Sequence, residues 1–339
     1  MKNILIVGAN GFYGRILFRY LFGLNKFNLI NLDIFNPNAD NLNFFQGDVL
    51  KINLFEVFKS FKFDTVIHLA SEIDFSSSDQ NSLYENNVHL TRILLDFSLK
   101  TGVRKIIFTS SNSIFLGRLS LDINESQPTF PIDLYGQSKV ESERILLERS
   151  SDIQVNIVRC PIIMDSGRVG ILSVLFELVK ANSTLWILGS SSVKHDVLYA
   201  GDLNLAIEKL ILRDISGVFN LSSGEPCSIH DIYEYLIQYS GSKSKIRSLP
   251  NFFIYLLKFL YAAKLSPLGP YQLQMLTNNF SFDNRKARLD LEWIPTLNAR
   301  SLFLIAYTNY VNSIHEQGER SNSGIVRTGL LSLLKYIKF

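Results

Sequence analysis

Apolar residues follow two rhythms along the first half of this chain. Solid runs such as Ile4-Leu5-Ile6-Val7 alternate with stretches in which Phe12, Ile16, Leu17, Tyr20 and Leu21 recur every few positions. A short solid run reads as a strand covered on both faces, and the recurrence marks one side of a helix. The runs predict strands at 3–7, 28–33, 43–47, 65–70, 104–110 and 154–159, with helices near 12–24, 51–61, 81–101 and 136–149. Such alternation predicts an α/β fold with a doubly wound parallel sheet. After Arg159-Cys160-Pro161 the rhythm loosens, and 170–182, 228–240, 251–265, 283–291 and 298–315 read as helices.

The first strand runs into Gly8-Ala9-Asn10-Gly11-Phe12-Tyr13-Gly14, and a helix pattern follows. This is the strand–turn–helix setting of a dinucleotide fingerprint, here spaced GxxGxxG. Gly8 would make the tight turn, Gly11 admit a pyrophosphate to the backbone, and Gly14 let helix and strand pack closely. The helix start then offers unpaired N–H groups and a positive dipole end to phosphate. The second strand ends in Asp33, where an acid grips the adenosine ribose hydroxyls. A carboxylate there repels a 2′-phosphate, so NAD is expected over NADP.

Tyr135-Gly136-Gln137-Ser138-Lys139 puts a tyrosine and a lysine on one helix face. A free phenol titrates near pH 10, and a nearby ammonium favours its ionised form. The pair reads as a proton donor or acceptor with its tuner.

With these pieces together, the chain resembles the extended short-chain dehydrogenases/reductases of the NAD-dependent epimerase/dehydratase family. The resemblance covers roughly residues 1–312. It matches Asp48 and Val49 to the family's adenine-side motif, and His68-Leu69-Ala70-Ser71 to the strand that lines pyrophosphate and nicotinamide ribose. It also matches Asn87-Val88 to a helix motif, and Thr109-Ser110-Ser111 to the catalytic serine strand. By this resemblance Tyr135, Lys139 and Ser111 are catalytic. The cofactor residues are Gly8, Gly11, Phe12, Gly14, Asp33, Asp48, Val49, Leu69, Ala70, Ser71, Asn87, Lys139 and Pro161. Ser111, Asn112, Lys194 and His195 face substrate, the last two standing where relatives use an Arg on the substrate diphosphate. A histidine there would make diphosphate binding rise between roughly pH 8 and 6.

The resemblance implies a Rossmann domain over 1–160 with returning segments near 193–220. A smaller, mostly helical substrate lobe takes 161–192 and 221–316, and 317–339 forms a tail. Asn220-Leu221-Ser222-Ser223-Gly224 matches a cleft-closing turn, and Lys286-Ala287 with Leu291-Glu292-Trp293-Ile294-Pro295 the family's closing signature. Family members that dehydrate sugars carry an Asp-Glu pair after the serine, and here Asn112-Ser113 stands instead. Simple hydride chemistry remains, at a nucleotide-sugar 4-epimerase or 4-ketoreductase. Two alternatives stay open: a dehydrogenase of apolar alcohols like the 3β-hydroxysteroid branch, and a non-catalytic NAD-sensing protein. A homodimer is expected.

Composition changes little. At 339 residues and 47% hydrophobic content the chain can bury a large core, and a net charge of +3 gives no reason to expect nucleic acid. Two cysteines, Cys160 and Cys227, fit a reducing, cytoplasmic setting, and no metal site is expected. A leader peptide is not expected, because the first strand leads straight to the glycine turn. Two apolar segments raise a membrane question. Residues 251–264 are too short to span a bilayer, which takes about 20 residues, and read as a lid helix on the lobe. The tail 325–339, apolar with Arg327, Lys335 and Lys338, suits either an amphipathic helix in peripheral membrane contact or docking on the protein itself.

Overall fold

The computed structural model describes residues 1–35, 43–73, 80–165, 172–250, 252–262 and 270–316. The tail expected at 317–339 lies outside the described residues.

Six solid apolar runs form parallel strands: β1 (Lys2–Val7), β2 (Phe27–Asp33), β3 (Phe44–Gln46), β4 (Thr65–His68), β5 (Lys105–Ser111) and β6 (Gln154–Cys160). A seventh strand, Gly217–Asn220, pairs with β6, so the sheet runs from it through β6, β5, β4, β1 and β2 to β3. The winding reverses between β1 and β4, which pair in parallel with Val7 beside His68. That reversal opens a crevice at the carboxyl ends of the strands, the place where doubly wound sheets bind ligands.

Helices cover both faces. On one side α3 (Gln80–Thr101) and α4 (Leu134–Leu147) bury Leu94, Phe97 and Leu146 against β4, β5 and β6. On the other, α1 (Phe12–Gly23) packs on the helix Ala200–Leu212, with Leu17 and Leu21 closed off by Leu203, Ile207 and Leu210. The helix expected over 51–61 shrinks to one turn, α2 (Leu54–Val57). Past it, Phe58 sits 5.0 Å from Phe45, 5.4 Å from Phe63 and 5.8 Å from Phe61, ring centre to ring centre. That aromatic cluster takes the apolar residues a longer helix would have used.

Beyond β6 the chain makes short strand pairs: Ile162–Met164 with Val197–Tyr199, Leu185–Leu188 with Ile246–Leu249, and Lys194–His195 with Cys227–Ser228. Helices Leu172–Lys180, Ile229–Ser240, Phe252–Ala262, Pro270–Thr277, Arg285–Asp290 and Ala299–Glu316 lie among them. The closing signature ties this part to the sheet. Trp293 is fully buried and its indole N–H donates to the Asp202 carbonyl at 2.8 Å, while Lys286 donates to the Val218 carbonyl at 2.7 Å.

Candidate active site

The glycine turn is built for close approach. Gly8 has φ +88°, and a Cβ there would stand 2.5 Å from the Ala70 nitrogen. A Cβ on Gly14 would collide with the Gly8 carbonyl. Gly11 caps α1 without any side-chain bond, so no side chain of the cap stands over the helix start. Asp33 ends β2 with one oxygen aimed back at the turn, accepting the Asn10 N–H at 2.8 Å, while the other accepts the Phe35 N–H at 3.1 Å in its own loop. A cleft of about 320 Å³ lies over these groups, lined by Gly8, Gly11, Asp33, Asp48, Val49, Leu69, Ala70, Ser71 and Asn87. A helix start, side-chain-free backbone and a carboxylate at the end of β2 fit an adenine dinucleotide. Asp48 accepts the Leu50 N–H at 3.0 Å and pairs with Lys51, so it also shapes its own loop.

At the end of β5 the structure brings Ser111, Tyr135 and Lys139 together. Asp133 caps α4, accepting the Gly136 N–H at 2.6 Å, which starts the helix at Leu134 and puts Tyr135 in its first turn. The Ser111 hydroxyl lies 2.9 Å from the Ser113 hydroxyl and is near enough to the Tyr135 phenol to favour its ionised form. One turn on, Lys139 is buried; its Nζ donates to the Thr109 carbonyl at 3.0 Å and sits 5.6 Å from the Tyr135 ring centre. Burial draws the Lys139 ammonium down to about 8, with Glu143 opposing. Glu143 is itself clamped by the buried Arg159, at 2.7 Å. The phenol was expected to fall under the influence of this lysine. Instead, burial pushes Tyr135 well above its usual value, Tyr271 adds to the rise, and the nearby Ser111 hydroxyl only partly offsets it. The tyrosine is an acid holding its proton.

Asn87 ties the cleft to α4. Its amide donates to the Glu72 carbonyl at 3.1 Å and to the Ser138 hydroxyl at 3.2 Å, and its oxygen accepts the Glu72 N–H at 2.8 Å. His68 pairs with Thr91 at 3.1 Å, and burial followed by the Lys139 charge holds it well below its usual pKa. It is a neutral structural histidine. Phe12 opens α1 and Pro161 follows β6, and neither lines the cleft.

Next to Ser111, Asn112 is buried, and its amide donates to the Met275 sulfur at 3.5 Å. Tyr271 reaches it with its hydroxyl at 3.4 Å. Both partners come from the helix Pro270–Thr277, which the sequence reading missed. No motif marks Tyr271, although Pro270 at the first helical position is a start signal. His195 and Lys194 do not act as a charged pair here. Lys194 is exposed, whereas the His195 Nε2–H donates to the Asn278 carbonyl at 3.1 Å, and burial lowers its pKa. The imidazole is therefore neutral near pH 7, and any gain of charge moves below 6.5. A rise in diphosphate binding that draws on this charge is accordingly expected at lower pH than the window from 8 to 6.

The model of the NAD dependent epimerase/dehydratase family matches residues 4–222, from β1 through the seventh strand. The chain belongs to this family. Its cofactor is accordingly NAD, and the protein is an enzyme of the extended short-chain dehydrogenase/reductase type. Among family relatives, a putative UDP-glucose 4-epimerase of Methanocaldococcus jannaschii is 26% identical over 69% of this chain and 81% of its own length. A decarboxylating sterol-4-alpha-carboxylate 3-dehydrogenase of Dictyostelium discoideum is 26% identical over 88% of this chain and 98% of its own. The fold is shared with the UDP-glucuronic acid 4-epimerase of Bacillus cereus, solved with NAD, at a TM-score of 0.72 and 21% identity over 91% and 99% of the two chains.

Proposed function

We propose that the protein carries out NAD-dependent hydride transfer at the C4 hydroxyl or ketone of a nucleotide sugar, as a 4-epimerase or 4-ketoreductase. The observation that carries this reading is the meeting of Ser111 and Tyr135 at the end of β5, with Lys139 one turn behind the tyrosine. The Ser111 hydroxyl orients the reacting oxygen. Tyr135 gives its proton to a ketone oxygen as the carbon is reduced, and takes it back from the alcohol when the reaction runs the other way. Lys139, with one N–H spent on the Thr109 carbonyl, keeps others for the nicotinamide ribose. Bound NAD supplies the hydride donor or acceptor. Buried Asn112 and Ser113 occupy the positions after the serine, so the Asp-Glu pair that dehydration would use there is missing. The epimerase named among the relatives supports the sugar class.

The test is a thermal-shift panel of UDP- and dTDP-sugars with NAD present, followed by chromatography of the products. A ligand at about 100 times its Kd stabilises the fold by about 2.7 kcal/mol. A shift with one of these sugars and formation of its C4 epimer or C4 ketone support the reading. If none shifts or turns over while a hydrophobic secondary alcohol reduces NAD, the apolar-alcohol reading replaces it. The sterol dehydrogenase likeness and the missing diphosphate Arg favour that second reading.

A further inference from the structure

The helix Phe252–Ala262 turns its apolar stripe outward. Phe252, Tyr255, Leu256 and Phe259 stand at i, i+3, i+4 and i+7, and they are 59, 72, 42 and 69% exposed. A lid packed on the lobe would bury this stripe. Instead the helix leans on the helix Pro270–Thr277, with Ile254 turned toward Gly189, and the aromatic side faces solvent. Contiguous exposed apolar patches of this kind mark interaction sites.

Along the chain, the charge on either side of it has one sign. The chain as a whole nearly balances 34 basic against 31 acidic residues. Between Tyr235 and Phe282, however, no Asp or Glu occurs, while Lys243, Lys245, Arg247, Lys258 and Lys264 do. Lys243, Lys245, Arg247 and Lys258 are exposed, and the strand Ile246–Leu249 that carries Arg247 leads through Pro250 into the helix.

We propose that this helix and its cations form a docking face for an anionic lipid bilayer. Eleven residues rise only about 17 Å, far short of the ~30 Å hydrocarbon core, so the helix lies in the interface rather than across it. Tyr255 and Lys258 are side chains that rest at headgroup level with their apolar parts below. Other occupants fit the charge less well. A second copy of this chain would oppose the same cations across a two-fold axis. The tail 317–339 carries Arg320, Arg327, Lys335 and Lys338 against Glu319 alone, and so brings like charge as well. The docked face lies one helix from the reacting groups, because Tyr271 on Pro270–Thr277 touches Asn112 beside Ser111.

The experiment is co-sedimentation of the full-length protein, with NAD, on phosphatidylcholine vesicles with and without one-third phosphatidylglycerol. Binding is expected on the anionic vesicles, weakening as salt rises from ~0.1 to ~1 M and the screening length falls from ~10 to ~3 Å. A Phe252→Ser/Phe259→Ser double variant should bind roughly 10²-fold more weakly. A Lys243→Glu/Lys245→Glu variant should bind more than about tenfold more weakly. NAD affinity in both should match the parent, which shows that the variants are folded. Failure of the parent to bind anionic vesicles overturns the proposal. So does parent-like binding by the double serine variant, which would assign the contact to the tail. Light scattering in which the serine variant loses self-association but keeps vesicle binding would hand the face to a second copy instead.

Discussion

Lys105 opens β5 and Lys139 lies against its far end, and burial draws both ammonium groups down to about 8. Their partners differ. Lys105 donates to the carbonyls of Leu210 and Arg213, where the helix Ala200–Leu212 runs out of partners for its own backbone, and Lys2 does the same for Ile211 at 2.6 Å. That end of the strand is a helix cap. Lys139 spends one of its three N–H donors on the Thr109 carbonyl and otherwise faces the rings of Phe108 and Tyr135. A lowered pKa is thus no mark of chemistry by itself. What separates the two lysines is that one has its acceptors supplied by the fold, while the other sits at the carboxyl end of the sheet with donors to spare.

The largest expected effect tests whether that end is catalytic at all. Tyr135→Phe keeps the ring and removes the transferable proton, so turnover should fall at least about 10²-fold while calorimetry shows NAD still bound. Full activity in this variant would leave both lysines structural. The next test separates them directly. Lys139→Met should weaken NAD binding and turnover each by about tenfold, the size of one charged hydrogen bond. Lys105→Met should leave both within about twofold. It should also flatten a pH dependence. Above about pH 8 the folded chain has released the Lys105 proton, whereas the unfolded chain keeps it to about 10.4. The parent's stability therefore gains on that of Lys105→Met as pH rises through this window. Urea unfolding at both ends of the window checks it, and equal slopes would remove the contrast.

How much of this was legible in the sequence depended on the range of the contacts. The six strands of the first half fall within a few residues of their apolar runs, because a strand buried on both faces leaves little else for such a run to be. The glycine turn, Asp33 and the Tyr135–Lys139 pair were legible for a similar reason: each role depends on spacing along one element. The misses are contacts between distant elements. Tyr271 stands beside Tyr135 only because a lobe helix folds back over the end of β5, and no local pattern encodes that approach. His195 was read as a charged partner from its position, but its neutrality comes from burial and from the Asn278 carbonyl, far along the chain.

The smallest expected effect carries the comparison to β2, where a charged group again sits at a carboxyl end. Asp33→Ala should narrow the preference for NAD over NADP by roughly tenfold. Titration of both cofactors by fluorescence measures it. An unchanged ratio would show that the Asp33 carboxylate serves only the Asn10 and Phe35 N–H groups that it already holds.

The packing of α1 against Ala200–Leu212 has a consequence for how the chain leaves the ribosome. Leu17 and Leu21 emerge early, but Leu203, Ile207 and Leu210, which close over them, are encoded almost two hundred codons later. At about 5–20 residues per second, the apolar side of the first helix waits on the order of 10–40 s for its cover. During that interval the nascent cofactor-binding half exposes a greasy flank to whatever the cell offers, and a folding helper or a slow codon stretch has its best opportunity there.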